Sequence, residues 1–186
     1  ASRPSPTITC GCISRQASGR CRGSQPRIRV TPFPEEVAEA ALFHIGRVKR
    51  PVVSFGQGCE GEPLLRARVI EKAIRLIRKG SRRGVINMNT NASRPQVLSR
   101  LFDAGLDSIR VSMNSARGEY YTRYYRPRGY GFGDVIRSIK TAKAHKKFVS
   151  LNYLTLPGFT DSRDEFAAFI AFIGACGVDM VQWRNL

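Results

Sequence analysis

Three thiols crowd into a short stretch near the amino end of the chain, at Cys10, Cys12 and Cys21. With Cys59 and Cys176 they make five, an odd number that fits poorly with a closed disulfide framework. Clustered thiols with no export signal ahead of them point to a metal ion or metal cluster. A second chemical feature is the turn Gly58-Cys59-Glu60-Gly61-Glu62-Pro63, directly after the apolar run Pro51-Val52-Val53-Ser54-Phe55. Glycines at 56, 58 and 61 let a backbone approach a ligand closely, and Pro63 sets the entry to a helix. Later apolar runs also end in polar residues: Asn89 and Asn91, Ser112 and Asn114, Asn152, then Gln182, Arg184 and Asn185. Such a set suits hydrogen bonding to a polar organic ligand. It contains no obvious triad, and His44 and His145 are remote in sequence, with no paired C-x2-C, which argues against a zinc module.

The elements that must carry these residues repeat as strand then helix. Residues 1–33 are rich in Pro, Ser, Gly and Arg and read as irregular, with at most a short strand at Thr7-Ile8-Thr9. Pro34 opens a helix whose stripe is expected at Val37, Ala40, Ala41, Phe43 (or His44) and Val48. The spacing then predicts a strand at 52–55 and a helix at about 64–79, buried through Leu65, Val69, Ile70, Ala73, Ile74 and Ile77. Strands follow at 84–88, 108–113, 148–154 and 180–183, with helices at about 95–104, 132–145 and 163–175. Asp161 or Ser162 is placed to cap the last helix. A unit of ~23–40 residues is the size of a strand–helix crossover repeat. The class is therefore α/β, as either an open doubly wound sheet or a barrel of parallel strands. Both put ligand chemistry at the carboxyl ends of the strands.

Composition bounds the rest. A chain of 186 residues, 42% hydrophobic, is long enough for one domain with a real core. No apolar run approaches the ~20 residues of a membrane span, and the first residues lack a secretory pattern. A cytoplasmic protein without membrane contact is expected. The first residue is not Met, which marks the sequence as a candidate fragment. The net charge of +17 fits an anionic partner, or simply a solvated Arg-rich surface, since the basic residues form no dense run.

Taken in order, these motifs resemble the radical S-adenosylmethionine (radical SAM) enzymes. The resemblance rests on cysteines before the first full helix, then Gly61-Glu62-Pro63, Asn89-Thr90-Asn91, Ser112-Met113-Asn114-Ser115 and Leu156-Pro157-Gly158, each after a successive strand. It implies a partial (βα)6 TIM-like barrel of parallel strands over 34–186, with the first strand poorly formed or missing. It also implies a [4Fe–4S] cluster on three thiolates, here Cys10, Cys12 and Cys21, although their spacing departs from the family's C-x3-C-x2-C and leaves Cys59 as another choice of ligand. The fourth iron would chelate S-adenosyl-L-methionine. Reduction by an external electron donor would then start radical chemistry on an unknown, anionic second substrate. Carried over residue by residue, Gly61, Glu62 and Pro63 would edge the methionine amino group. Ser112 and Asn114 would face the ribose or carboxylate, Asn91 and Asn152 the ribose or substrate. Leu156, Pro157 and Gly158 would pack near the adenine.

Residues 119–130 are the densest aromatic-basic segment, with Tyr interleaved among Arg123, Arg126 and Arg128. Two readings compete: a grip on an acidic or nucleotide-like substrate, or a loop whose tyrosines pack over the barrel mouth. Two whole-chain alternatives also stand, a truncated non-catalytic barrel fragment and a basic nucleic-acid-binding α/β protein. The ordered motifs favour the enzyme or its fragment over nucleic-acid binding, which charge alone supports.

Overall fold

A computed structural model describes residues 30–56 and 61–185. Cys10, Cys12, Cys21, Cys59 and the expected short strand at 7–9 lie outside the described residues. Within them, five strands form one sheet: β1 (Val52–Phe55), β2 (Val85–Thr90), β3 (Ser108–Met113), β4 (Phe148–Leu154) and β5 (Met180–Arg184). All neighbours pair in parallel, in the order β1-β2-β3-β4-β5. A doubly wound sheet reverses its strand order at a switch point, and no reversal occurs here. Right-handed crossovers in unbroken sequence place every helix on the same face, so the architecture is an open, partial barrel.

The pleat sorts side chains accordingly. Ile86, Met88, Ile109, Val111, Met113, Val149, Leu151 and Tyr153 are fully buried against the helices. The helices are α1 (Pro34–Arg47), α2 (Ala67–Gly80, preceded by a three-ten turn at Pro63–Arg66), α3 (Pro95–Ala104), α4 (Gly118–Tyr125), α5 (Phe132–Ala144) and α6 (Arg163–Cys176). Two expected stripes shift. Helix α1 buries Ala38, Ala41 and Ile45, while Phe43 is exposed beneath the Arg47 guanidinium, 3.3 Å over its ring. The small alanines let α1 lie close to α2, where Gly80 sits against Leu42. At the start of the second helix Leu64 is buried and Leu65 is 39% exposed, because the three-ten turn has a tighter period that changes the phase.

One local device recurs. After α3 and after α6 the chain runs Gly, apolar residue, Asp: Gly105-Leu106-Asp107 and Gly177-Val178-Asp179, both glycines left-handed. Asp107 Oδ2 accepts from the Ile86 N–H at 2.7 Å and from the Arg78 guanidinium of α2. Asp179 Oδ2 accepts from the Val149 N–H at 2.7 Å and from Lys143 Nζ of α5 at 2.7 Å. Each carboxylate thus ties a helix end to the strand after that helix and to the next strand. Asp107→Ala strands the Ile86 N–H and should cost about 1–3 kcal/mol in urea unfolding; a loss within error would show that Asp107 is dispensable.

Candidate functional site

On the concave face, opposite the core, the strands present polar side chains. Asn87 is the hub: its Nδ2 donates to Ser54 Oγ at 2.8 Å, and its Oδ1 accepts from Ser108 Oγ at 2.9 Å. Ser112, Asn152 and Gln182 stand side by side in register on β3, β4 and β5. Arg184 Nε donates to Asn152 Oδ1 at 3.2 Å. Arg110 occupies the middle of β3, in register with Asn89 on one side and Ser150 on the other.

The carboxyl-end rim is held by two buried glutamates. Glu62, 5% exposed, accepts at Oε1 from the Leu64 N–H (3.1 Å) and Thr90 Oγ1 (2.6 Å), and at Oε2 from the Asn91 N–H (2.8 Å). Burial pushes its carboxyl above the ordinary 4.5, against the pull of those three bonds and of Arg94. The side chain is therefore spent on locking the turn after β1 to the end of β2. Gly61 is left-handed (φ 97°), and a Cβ there would meet nothing within 4 Å among the described residues. Gly56 is different. It is also left-handed (φ 76°), and a Cβ would run into the Asn89 carbonyl oxygen. Gly56→Ala should therefore lower stability by roughly 2–4 kcal/mol, from backbone strain and displacement of β2; an unchanged urea midpoint would contradict this packing.

Glu165 does for β3 what Glu62 does for β1. It is fully buried, and its Oε1 accepts from Ser115 Oγ (2.7 Å), the Ala116 N–H (2.9 Å) and Tyr153 Oη (2.7 Å). Burial, then the bond to Glu165, raises the Tyr153 hydroxyl well above its ordinary value. After β4, Leu156 and Thr160 close a turn through two 3.0 Å bonds, which leaves Pro157 and left-handed Gly158 exposed at the rim.

The expected site residues fall into three groups. Gly61, Glu62 and Pro63 form the first rim turn. Ser112 and Asn152 share the concave face, with Leu156, Pro157 and Gly158 at its edge. Asn91 and Asn114 are buried at the rim: Asn91 Oδ1 accepts from the Ser93 N–H at 3.0 Å, and Asn114 Nδ2 donates to the Tyr120 carbonyl at 3.4 Å. Asn91 Nδ2 and the Tyr121 and Tyr130 hydroxyls are buried outside hydrogen-bond geometry of any partner among the described residues. The aromatic-basic segment is not a loop in its first half but α4. Tyr121 and Tyr125 are buried with ring centroids 4.7 Å apart, and Tyr121 packs on Phe132 at 5.0 Å. The packed reading of these tyrosines is the one the structure supports, while Arg123, Arg126 and Arg128 stay exposed.

Arg110, Glu165 and Tyr153 were missed in the sequence. Glu165 stands three residues after Ser162, the spacing of a capping box, yet it turns inward and Ser162 makes no side-chain cap. Cys176 is buried in α6, and desolvation raises its thiol despite Lys140, so it is a packing residue.

Comparison with known proteins identifies the class. The model of the Radical SAM superfamily matches residues 10–170, and the chain belongs to that family. Among curated proteins none matches the chain in sequence. Solved structures share its fold. SuiB of Streptococcus suis bound to S-adenosylmethionine superposes with a TM-score of 0.64 at 13% identity, over 87% of this chain and 35% of that one. Methylornithine synthase (PylB) gives 0.62 at 15% identity, over 89% and 47%. A radical SAM methyltransferase from Sphaerobacter thermophilus gives 0.58 at 15% identity, over 82% and 56%. The chain thus spans between about a third and just over half the length of these structures. No helix among the described residues is long and apolar enough to cross a membrane.

Proposed function

We propose that this chain binds S-adenosylmethionine along the carboxyl-end rim of its open barrel and cleaves it reductively to begin radical chemistry on a second substrate. The observation that carries this reading is the construction of the first rim turn. The Glu62 side chain is engaged by Leu64, Thr90 and Asn91, which ties residues 61–63 to the end of β2. The Glu62 carbonyl is taken by the Leu65 N–H at 3.2 Å, so the Gly61 carbonyl would be the one to meet a ligand. Among the described residues, nothing stands within 4 Å of where a Gly61 Cβ would be. The residues at the rim fit the nucleotide. Gly61 to Pro63 would hold its amino group, Ser112 and Asn152 its ribose or carboxylate from the concave face, and the Leu156-Pro157-Gly158 turn its adenine. Asn91 and Asn114 would support the rim from below. Cys10, Cys12 and Cys21 would hold a [4Fe–4S] cluster with one iron left open, reduced by an external donor. When bound, the pair supplies one-electron cleavage of a sulfonium carbon–sulfur bond, which gives methionine and a 5′-deoxyadenosyl radical that takes a hydrogen atom from the second substrate.

The test is anaerobic reconstitution with iron and sulfide. Broad charge-transfer absorption near ~400 nm is expected, with 5′-deoxyadenosine released on reduction in the presence of S-adenosylmethionine. Ala at Cys10, Cys12 or Cys21 should abolish both. A colourless protein without iron would leave only a non-catalytic barrel.

A further inference from the structure

Arg110 forms no ion pair among the described residues. It lies mid-strand on β3 between Ile109 and Val111, both fully buried in the core, so alternation puts its side chain on the concave face. Its Nε is out of solvent and, among the described residues, has no hydrogen-bond partner. Arg75, Arg78, Arg100, Arg117 and Arg137 reach a carboxylate, and other arginines such as Arg66, Arg94 and Arg184 do not. Among the described residues, Arg110 alone of the arginines has a nitrogen buried without a hydrogen bond.

The neighbours sharpen the contrast. Asn87 satisfies Ser54 and Ser108, and Asn152 satisfies Arg184. Ser150 spends its hydroxyl on the Ile109 carbonyl at 3.4 Å. Among the described residues, two buried side-chain atoms on this face stay open, the Arg110 Nε donor and the Gln182 Oε1 acceptor. The concave positions of the five strands carry Ser, Asn, Gln, Arg and a few apolar residues, and no Asp or Glu. A buried donor and acceptor left unpaired are each costly, and here they belong to two half-buried side chains. A ligand with an oxyanion and a neighbouring N–H or O–H would satisfy both.

We propose that the concave face seats the second substrate by an oxyanion group, a carboxylate or a phosphate, on Arg110, while Gln182 accepts a hydrogen bond from the same molecule. This rests on the radical SAM reading, and depth separates the oxyanion from the nucleotide. Gln182 stands level with Ser112 and Asn152 on the far strand β5, so the substrate would reach up beside the nucleotide. Arg110 stands two residues before Ser112, about 7 Å further from the rim, so the oxyanion lies below the nucleotide. The planar fork of Arg suits either oxyanion, and the chain's +17 charge draws anions toward the barrel.

The experiment follows the arginine Nε–H resonances of the whole chain by NMR, assigned through bonds, in separate titrations with malonate, inorganic phosphate, chloride and S-adenosylhomocysteine. The Arg110 signal should shift saturably at millimolar malonate or phosphate and stay put in chloride. The tighter of the two anions names the group. The response should persist with S-adenosylhomocysteine already present, and Arg110→Gln, followed through the backbone amides of β3 and β4, should weaken the anion at least tenfold. No saturable shift with either anion means that the guanidinium is merely hydrated, and the proposal fails. A shift driven by S-adenosylhomocysteine alone assigns Arg110 to the nucleotide carboxylate and also overturns it. The Gly61 amide reports separately. If S-adenosylhomocysteine leaves it unmoved while malonate moves Arg110, the nucleotide site is refuted and the oxyanion site stands.

Discussion

Glu62→Ala should destabilise the protein by about 3–5 kcal/mol in urea unfolding and abolish binding of S-adenosylhomocysteine. Three buried donors lose their acceptor at once: the Leu64 N–H, the Asn91 N–H and Thr90 Oγ1. Each orphaned donor costs about 1–3 kcal/mol, less than additively because they share one carboxylate. Thr90 cannot turn elsewhere freely, since its oxygen already accepts from the Ala92 N–H at 3.0 Å. Glu62→Gln separates shape from charge. It keeps the volume but sets an NH2 group against a donor, and should cost about 2 kcal/mol. It also changes the pH profile. The folded-state pKa of Glu62 lies above its ordinary 4.5, so its contribution is fully present below that value and is lost as pH rises through the raised pKa. The gap between wild type and Glu62→Gln should therefore shrink from pH 4.5 upward. A constant gap would mean that burial does not dominate at this carboxylate.

Glu165→Ala should cost a similar amount, about 3–5 kcal/mol, and loosen the other side of the rim. Its Oε1 gathers Ser115, Ala116 and Tyr153, which joins the chain after β3 to β4 and to the first turn of α6. Ser115 Oγ in turn accepts from the Arg117 N–H at 3.0 Å, so the start of α4 hangs from the same carboxylate. Tyr153→Phe removes only one of the three donors and should cost about 1 kcal/mol. In the double variant the two losses should fall short of their sum, because the Tyr153 hydroxyl has no partner left to lose once Glu165 is gone. Strict additivity in a double-mutant cycle would break the link between them. Hydrogen exchange should show amides 115–117 opening more in Glu165→Ala than those of α2.

Much of this site is legible before folding because the signals are local. A strand that hands over to a helix needs Gly and Pro at the turn, and Gly56, Gly61, Pro63, Pro95 and Gly158 mark those places whatever surrounds them. Helix α4 was not legible. Tyr121 and Tyr125 among arginines show no aliphatic stripe, and only packing on Phe132 makes them a buried helical face. Glu165 was not legible for a related reason, since its spacing from Ser162 is that of a surface capping box while its surroundings recruit it inward.

Periodicity and turn chemistry along the chain were enough to specify alternating strands and helices, and the order of the polar residues at the strand ends. Whether those strands would form an open barrel or a reversing sheet depended on which strands pair, a long-range choice that no local stretch encodes. The same holds for Arg110 and the two glutamates. Charge in a sequence is only a residue type, and its role appears when the surrounding backbone decides which carboxylates find donors and which guanidinium nitrogen, among the described residues, is buried without an acceptor.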